Sequence, residues 1–374
     1  MIPYTLIVFI LANLYLYMEL RSAFRKGRWN GVYLLWAVVG AVAPFVFKMN
    51  LWSGRVVEVL SSLSFAWVAI VGMTCVGMFF ADVLALMARL MDRIWGTEWR
   101  PFLAPHRRVP VVLFLAAVLT LYSLYEAWNI RRVDLTFETR KLPEGVERLR
   151  LVHLTDTHIG GVCSLERLRK VMDIVRSAEP DLLVITGDLL DRDASFSQDE
   201  AEPLFTHGAR FGAYAVTGNH EFHAEIERVE DFMRNAGVIL LRDAQVDVAG
   251  ITIVGLDDPA KFGRYVLELP ELPDGLTFPE DRFVLLLKHR PGVLPETEGK
   301  FDLQLSGHTH GGQIWPYHYA VQWFYGHVQG LSYKGTSAVY VSNGAGGLPL
   351  RFLAPPEVTV IDLVKPVKSV ISGN

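Results

Sequence analysis

Residues 303–314 read LQLSGHTHGGQI: a short apolar run ending at Ser306, then Gly307, His308, Thr309, His310 and two further glycines. Two imidazoles two positions apart, on backbone that glycine leaves free to bend, suggest two ligands aimed into one site. Such a pair has meaning only if ligand-type residues leave other strand ends in the same way, so the chain is read outward from it.

The chain has 374 residues, of which 51% are hydrophobic, too many for an ordinary soluble protein of that length. The excess is concentrated. Residues 1–18, 29–47, 59–81 and 109–125 carry no charge, and each is close to the roughly 20 apolar residues that span a bilayer core. Four transmembrane helices are therefore expected. A cleaved signal peptide would place basic residues before its apolar core, whereas the first basic residue here is Arg21. A hydrophobic soluble four-helix domain would show polar stripes.

Charge divides the chain. Up to Arg140 there are 14 Lys and Arg against 8 Asp and Glu, and the remainder holds 22 against 32. From about Leu142 short apolar runs alternate with helical patterns, as in an α/β domain. The organisation expected is a membrane domain over 1–128, a connector over 129–145, an α/β domain over 146–366 and a tail over 367–374. Arg21, Arg25, Lys26 and Arg28 follow the first apolar stretch, and Arg89, Arg93, Arg100, Arg107 and Arg108 precede the last. Basic loops stay cytoplasmic, so the α/β domain is expected on the non-cytoplasmic face of an inner or plasma membrane, although Arg131, Arg132, Arg140 and Lys141 weigh against it. Cys75 and Cys163 fall in different domains, which argues against an internal disulfide.

Five strand ends carry polar residues. LVHLTDTHIGG runs an alternating strand into Asp156 and His158, and Ser164 is placed to cap the helix that follows. PDLLVITGDLLD ends in Asp188, with Asp191 three residues on; GAYAVTGNHEF ends in Asn219, His220 and Glu221. LLLKHRP presents His289, and the opening stretch presents His308 and His310. Ligand sites of α/β sheets lie beyond the carboxyl ends of the strands, so these clusters should meet at one rim.

The blocks DTH, GDLLD, GNHE, H and GHTH, in that order, resemble the signature of the calcineurin-like metallophosphoesterases, and GHTHGGQI with the later YVSNGAGG is similar to their membrane-associated bacterial branch. The resemblance, which covers residues 148 to about 363, implies two packed sheets flanked by helices and two divalent cations. One cation would take Asp156, His158, Asp188 and His310; the other would take Asp188, Asn219, His289 and His308, with Asp188 shared. Mixed nitrogen and oxygen ligands suit Mn, Fe, Zn or Co. A water shared by the cations would attack phosphorus as hydroxide. His220 resembles the family's general acid, with Asp191 holding its tautomer.

Plainer readings apply elsewhere. His153 lies within a strand and reads as a satisfied sheet histidine, while His223, Asp257 and Asp258 either line the pocket or are ordinary loop residues. No Walker loop, dinucleotide fingerprint or basic stripe is present, so the expected partners are a phosphorylated small molecule or lipid and the membrane, not nucleic acid. A membrane sensor with a phosphate-binding but inactive domain is the competing function. The aromatic-rich residues 315–335 follow no helix or strand period; they are expected either to pack their rings on the domain's own sheet or to rest on a bilayer.

Overall fold

The computed structural model describes residues 2–24, 31, 55–160, 164–191, 202, 204, 206–263, 266, 271–347 and 349–366. Two compact units result, Met1–Ala127 and Trp128–Asn374.

In the first unit α1 is Ile2–Ala23, α2 Arg55–Trp95 and α3 Pro105–Trp128. Where the sequence leads one to expect four membrane spans, two helices among the described residues are long and apolar enough to cross, Trp67–Trp95 and Pro105–Trp128. The expected first span forms α1, and the expected second, residues 29–47, lies outside the described residues except for Gly31. The third expectation, 59–81, is corrected at its end. α2 continues 13 or so residues past Asp82 to Trp95, because Ala, Leu, Met and Arg there are strong helix formers. Asp82 is tolerated within it because the Arg108 guanidinium pairs with its carboxylate and the Tyr15 hydroxyl donates to it at 2.5 Å; Arg108 also meets Glu19 at 2.9 Å.

The second unit contains two six-stranded sheets. Its first strand, β1 (Arg131–Glu138), falls within the expected connector and corrects it: Val133, Leu135 and Phe137 alternate with polar residues, and the strand pairs in parallel with β12 (Glu357–Val364). Then follow β2 (Arg148–Leu154), α4 (Leu165–Ser177), β3 (Leu182–Thr186), β4 (Ala213–Val216), α5 (Ile226–Asn235) and β5 (Val238–Leu240). The first sheet has the order β1-β12-β2-β3-β4-β5, with β2 to β5 parallel. The second is built from β6 (Ala244–Val248), β7 (Ile251–Gly255), β8 (Val284–Leu287), β9 (Leu303–Ser306), β10 (Gly330–Lys334) and β11 (Ser337–Val341), in the order β10-β11-β9-β8-β7-β6. Between β9 and β10 lies α6, His318–Tyr325. The expected tail, 367–374, lies outside the described residues.

Strand alternation places the core. Leu151, Leu182, Val184 and Val216 of the first sheet face Ile253, Leu285, Leu287 and Leu305 of the second, forming an inter-sheet layer. Their neighbours Val152, Leu154, Leu183 and Ile185 point the other way, onto Leu168, Val171, Met172 and Val175 of α4 and Val229, Phe232 and Met233 of α5. Ser164 caps α4, its hydroxyl accepting from the Arg167 amide. β2, β3, β4, β8 and β9 all run in parallel pairings, so their carboxyl ends share one rim.

The aromatic segment has more regular structure than its sequence period suggests. It includes a helix, α6, with no fully buried residue, only His318, Val321 and Tyr325 being half-buried. Its rings do not pack on the sheet: Trp323 is 86% exposed and Phe324 54%.

Candidate metal centre

The loops leaving β2 and β3 continue their strands' parallel pairing beyond the sheet, with amide to carbonyl bonds from Asp156 to Gly187 (3.1 Å), His158 to Asp188 (3.0 Å) and Ile159 to Leu189 (2.8 Å). Glycine permits the loops to close on one another: a Cβ on Gly187 would collide with the backbone of Gly218, and one on Gly307 with the side chains of Asp156 and Thr155. Five expected ligands, Asp156, His158, Asp188, His308 and His310, have φ between 49° and 69°. Such left-handed geometry is costly for residues with side chains and gathers at functional sites.

Three clusters of carboxylate oxygens and imidazole nitrogens result, each within 4.8 Å: Asp156, His158 and His310; Asp188, His289 and His308; and His158, Asp191 and His220. Asp188 Oδ2 sits between the first two, 4.0 Å from His158 Nε2 and 3.3 Å from His289 Nε2, while Oδ1 accepts from the His220 amide at 2.8 Å. His158 Nε2 and His310 Nε2 are 3.3 Å apart, and His289 Nε2 and His308 Nδ1 are 3.1 Å apart.

Two of the rings are oriented by an acceptor behind them. His289 Nδ1 lies 2.7 Å from the Thr186 carbonyl, so it carries the proton and Nε2 offers its lone pair to the site. His220 Nδ1 lies 2.8 Å from Asp191 Oδ1, leaving its Nε2 4.0 Å from Asp188 Oδ2. His310 is the exception: Arg351, which can only donate, approaches its Nδ1 at 3.0 Å.

The donor set fits two cations. The Oδ1 atoms of Asp156 and Asn219 are buried and lack a hydrogen-bond partner, and a desolvated oxygen of this kind is expensive unless a cation satisfies it. The field also favours positive charge. Burial lowers the pKa of His289, but Asp188 and Asp156 outweigh it and push it up to about 10. Burial holds His308 and His310 well below the ordinary histidine value. His220 loses by burial and gains more from Asp191 and Asp188, so its pKa is raised.

Sequence reasoning gave no role to several neighbours. Glu221 is fully buried and accepts the amides of Asp188 (2.9 Å), Leu190 (3.1 Å) and Gly218 (2.7 Å), joining the β3 and β4 loops. Burial and Asp188 push its carboxyl up to about 7 against those donors. Its place directly after Asn219 and His220 was the available signal. Arg351 donates to the carbonyls of His310 (2.7 Å) and Asn343 (3.0 Å), and Tyr325 Oη lies 2.8 Å from His308 Nε2; neither belongs to a ligand pattern. Of the plainer readings, His153 is a buried β2 residue bonded to Thr186 Oγ1 at 2.8 Å. Asp257 meets Arg242 at 3.1 Å and Asp258 meets Arg290 at 2.8 Å, so both acids are committed to ion pairs. His223 stacks edge-on to His220 with centroids 5.9 Å apart.

Two mixed sheets whose carboxyl rim gathers histidines and acids define an α/β metallophosphoesterase fold. The family model described as calcineurin-like phosphoesterase matches residues 149–312. An uncharacterized metallophosphoesterase of Aquifex aeolicus is 32% identical over 257 residues, covering 67% of this chain and 98% of that protein. A transmembrane protein with metallophosphoesterase domain from Danio rerio is 29% identical over 326 residues, 79% of this chain and 74% of that one. A solved dimetal phosphatase from Danio rerio aligns with 54% of this chain and 88% of its own, at 15% identity and a TM-score of 0.35. The chain belongs to the calcineurin-like metallophosphoesterases.

Proposed function

We propose that this protein is a membrane-anchored phosphoesterase that uses two divalent cations, of Mn, Fe, Zn or Co, to hydrolyse a phosphate ester or phosphoanhydride. The observation that carries the reading is the position of Asp188 Oδ2 between two nitrogen-rich clusters, each beside an unsatisfied buried oxygen or a paired imidazole edge. Asp156, His158, Asp188 and His310 would hold one cation, and Asp188, Asn219, His289 and His308 the other. When bound, such a pair supplies electrostatic stabilisation of the phosphoryl group and a nucleophile at neutral pH. His220 keeps one proton on Nδ1 toward Asp191 and presents Nε2, the atom from which a proton would pass to the leaving oxygen.

Membrane anchoring is supported by the two long apolar helices and by relatives whose names describe transmembrane proteins. Arg89, Arg93, Arg100, Arg107 and Arg108 cluster between or at the facing ends of those helices, which favours a cytoplasmic loop there and a catalytic unit on the opposite face. The exposed Trp323 and Phe324 favour an amphiphilic substrate met at a lipid surface.

The test is to purify the whole chain in detergent, measure its bound metal, and assay it with each cation against a monoester, a diester and a diphosphate. Two cations per chain and metal-dependent hydrolysis of one class are expected. Phosphate binding without turnover on any class would support the sensor reading instead.

A further inference from the structure

α6 has no fully buried residue, yet its two ends are fixed. At its start His318 packs so closely on Gly312 that a Cβ there would collide with it, and at its end Tyr325 reaches the centre of the site. Tyr325 Oη lies 2.8 Å from His308 Nε2, with the two rings edge to face and their centroids 5.3 Å apart. His308 Nδ1, on the other side of the ring, faces His289 Nε2 at 3.1 Å.

The other two imidazoles with an acceptor behind them are held by parts of the rigid frame: His289 by the carbonyl that ends β3, and His220 by Asp191 of the following loop. His308 alone among these three depends on a side chain from an exposed helix. An imidazole that binds a cation through one nitrogen must keep its proton on the other, and the group accepting that proton fixes both tautomer and ring angle.

We propose that Tyr325 is a positioning residue for His308, accepting its Nε2 proton so that Nδ1 faces the cleft, and that it thereby couples the order of α6 to occupation of the cation site formed by Asp188, His289 and His308. The inference rests on the two-cation reading above and adds a linkage to it. A cation at Nδ1 fixes the ring, the fixed ring holds Tyr325, and Tyr325 holds the last turn of α6. By reciprocity, loosening α6 weakens that cation.

The experiment uses the full chain in detergent, titrated with Mn²⁺ alone by equilibrium dialysis, with hydrogen exchange measured over residues 318–325. Wild type, Tyr325→Phe and Trp323→Ser are compared; the last changes the same helix without touching His308. Wild type should bind two ions. Tyr325→Phe should weaken one of them about 10- to 100-fold, the range for losing a group that orients a ligand, and leave the other unchanged. Trp323→Ser should alter neither. Mn²⁺ should slow amide exchange in 318–325 for wild type and Trp323→Ser, and lose that effect in Tyr325→Phe. Unchanged affinities in Tyr325→Phe, equal weakening of both ions, or exchange in wild type that ignores Mn²⁺ would each overturn the proposal while leaving two-cation binding intact. Uptake of fewer than two ions by wild type would overturn both.

Discussion

His220 Nδ1 stands 2.8 Å from Asp191 Oδ1, and its opposite nitrogen faces the bridging position at Asp188. On the proposed reading the pair would act as a proton-holding unit set beside the cations. His220→Ala is expected to lower turnover about 10²- to 10⁴-fold, the usual contribution of a general acid, with bound metal near the wild-type level by elemental analysis. Asp191→Asn should give a smaller loss, about 10-fold or more, also without metal loss. Because His158, Asp191 and His220 themselves form a cluster within 4.8 Å, loss of metal together with activity in His220→Ala would reassign that residue as a ligand.

Gly307 is the point at which the β9 loop passes the β2 loop. A Cβ there would strike Asp156 and Thr155, whose carboxylate and hydroxyl are bonded at 2.8 Å, with the His308 amide adding a bond of 2.9 Å to the same oxygen. Gly307→Ala is expected to destabilise the fold by about 1–3 kcal/mol and to shift Asp156 within the proposed cation site. Thermal melts and metal content check this. A variant with wild-type values for both would show that the loops separate freely.

A separate expectation concerns acid. His153 is fully buried, and burial holds its pKa down at about 3 against an ordinary 6.5. Between pH 6.5 and about 3 the unfolded chain binds a proton at this ring and the folded chain does not, so stability falls as pH falls through that window and is unaffected above it. The loss is at most about 5 kcal/mol at 1.36 kcal/mol per pH unit. His153→Gln, which can still bond Thr186, should show a shallower decline of melting temperature from pH 6.5 to 4. Parallel declines would mean that other groups carry the acid sensitivity.

Trp323 and Phe324 project from α6 into solvent. If they meet a lipid surface, the double change to Ser should slow hydrolysis of a substrate embedded in vesicles by about 10-fold or more, since each buried aromatic contributes on the order of 1.5–3 kcal/mol, and leave the rate on a small soluble ester unchanged. Tyr325 is kept intact because it touches His308. Equal effects on the two substrates would remove the surface argument.

The clustering was legible because each expected ligand follows its strand within four residues, so local sequence carries the pattern: apolar run, then Asp156, Asp188, Asn219, His289 or His308. Parallel pairing then brings the ends together without further instruction. What was not legible depends on distant contacts. Tyr325 and Arg351 reach His308 and His310 from 17 and 41 residues away, and no residue type announces such a partner. β1 was hidden for another reason: it follows an apolar helix directly, and its alternating Val133, Leu135 and Phe137 are only half-buried, at a sheet edge. The acid at Asp82, which otherwise marks the end of a span, is accommodated within α2 by pairing with Arg108 and a hydrogen bond from Tyr15, contacts that local sequence does not announce.

The central claim is that Asp188 is shared by two cations. Electron paramagnetic resonance of the whole chain loaded with Mn²⁺ tests it most directly, because ions joined through one carboxylate couple their spins, whereas separate ions do not. The account predicts a coupled-pair spectrum in wild type that gives way to the hyperfine pattern of isolated ions, or to no bound Mn²⁺, in Asp188→Ala. An isolated-ion spectrum in wild type, or a coupled pair that survives in Asp188→Ala, would contradict it.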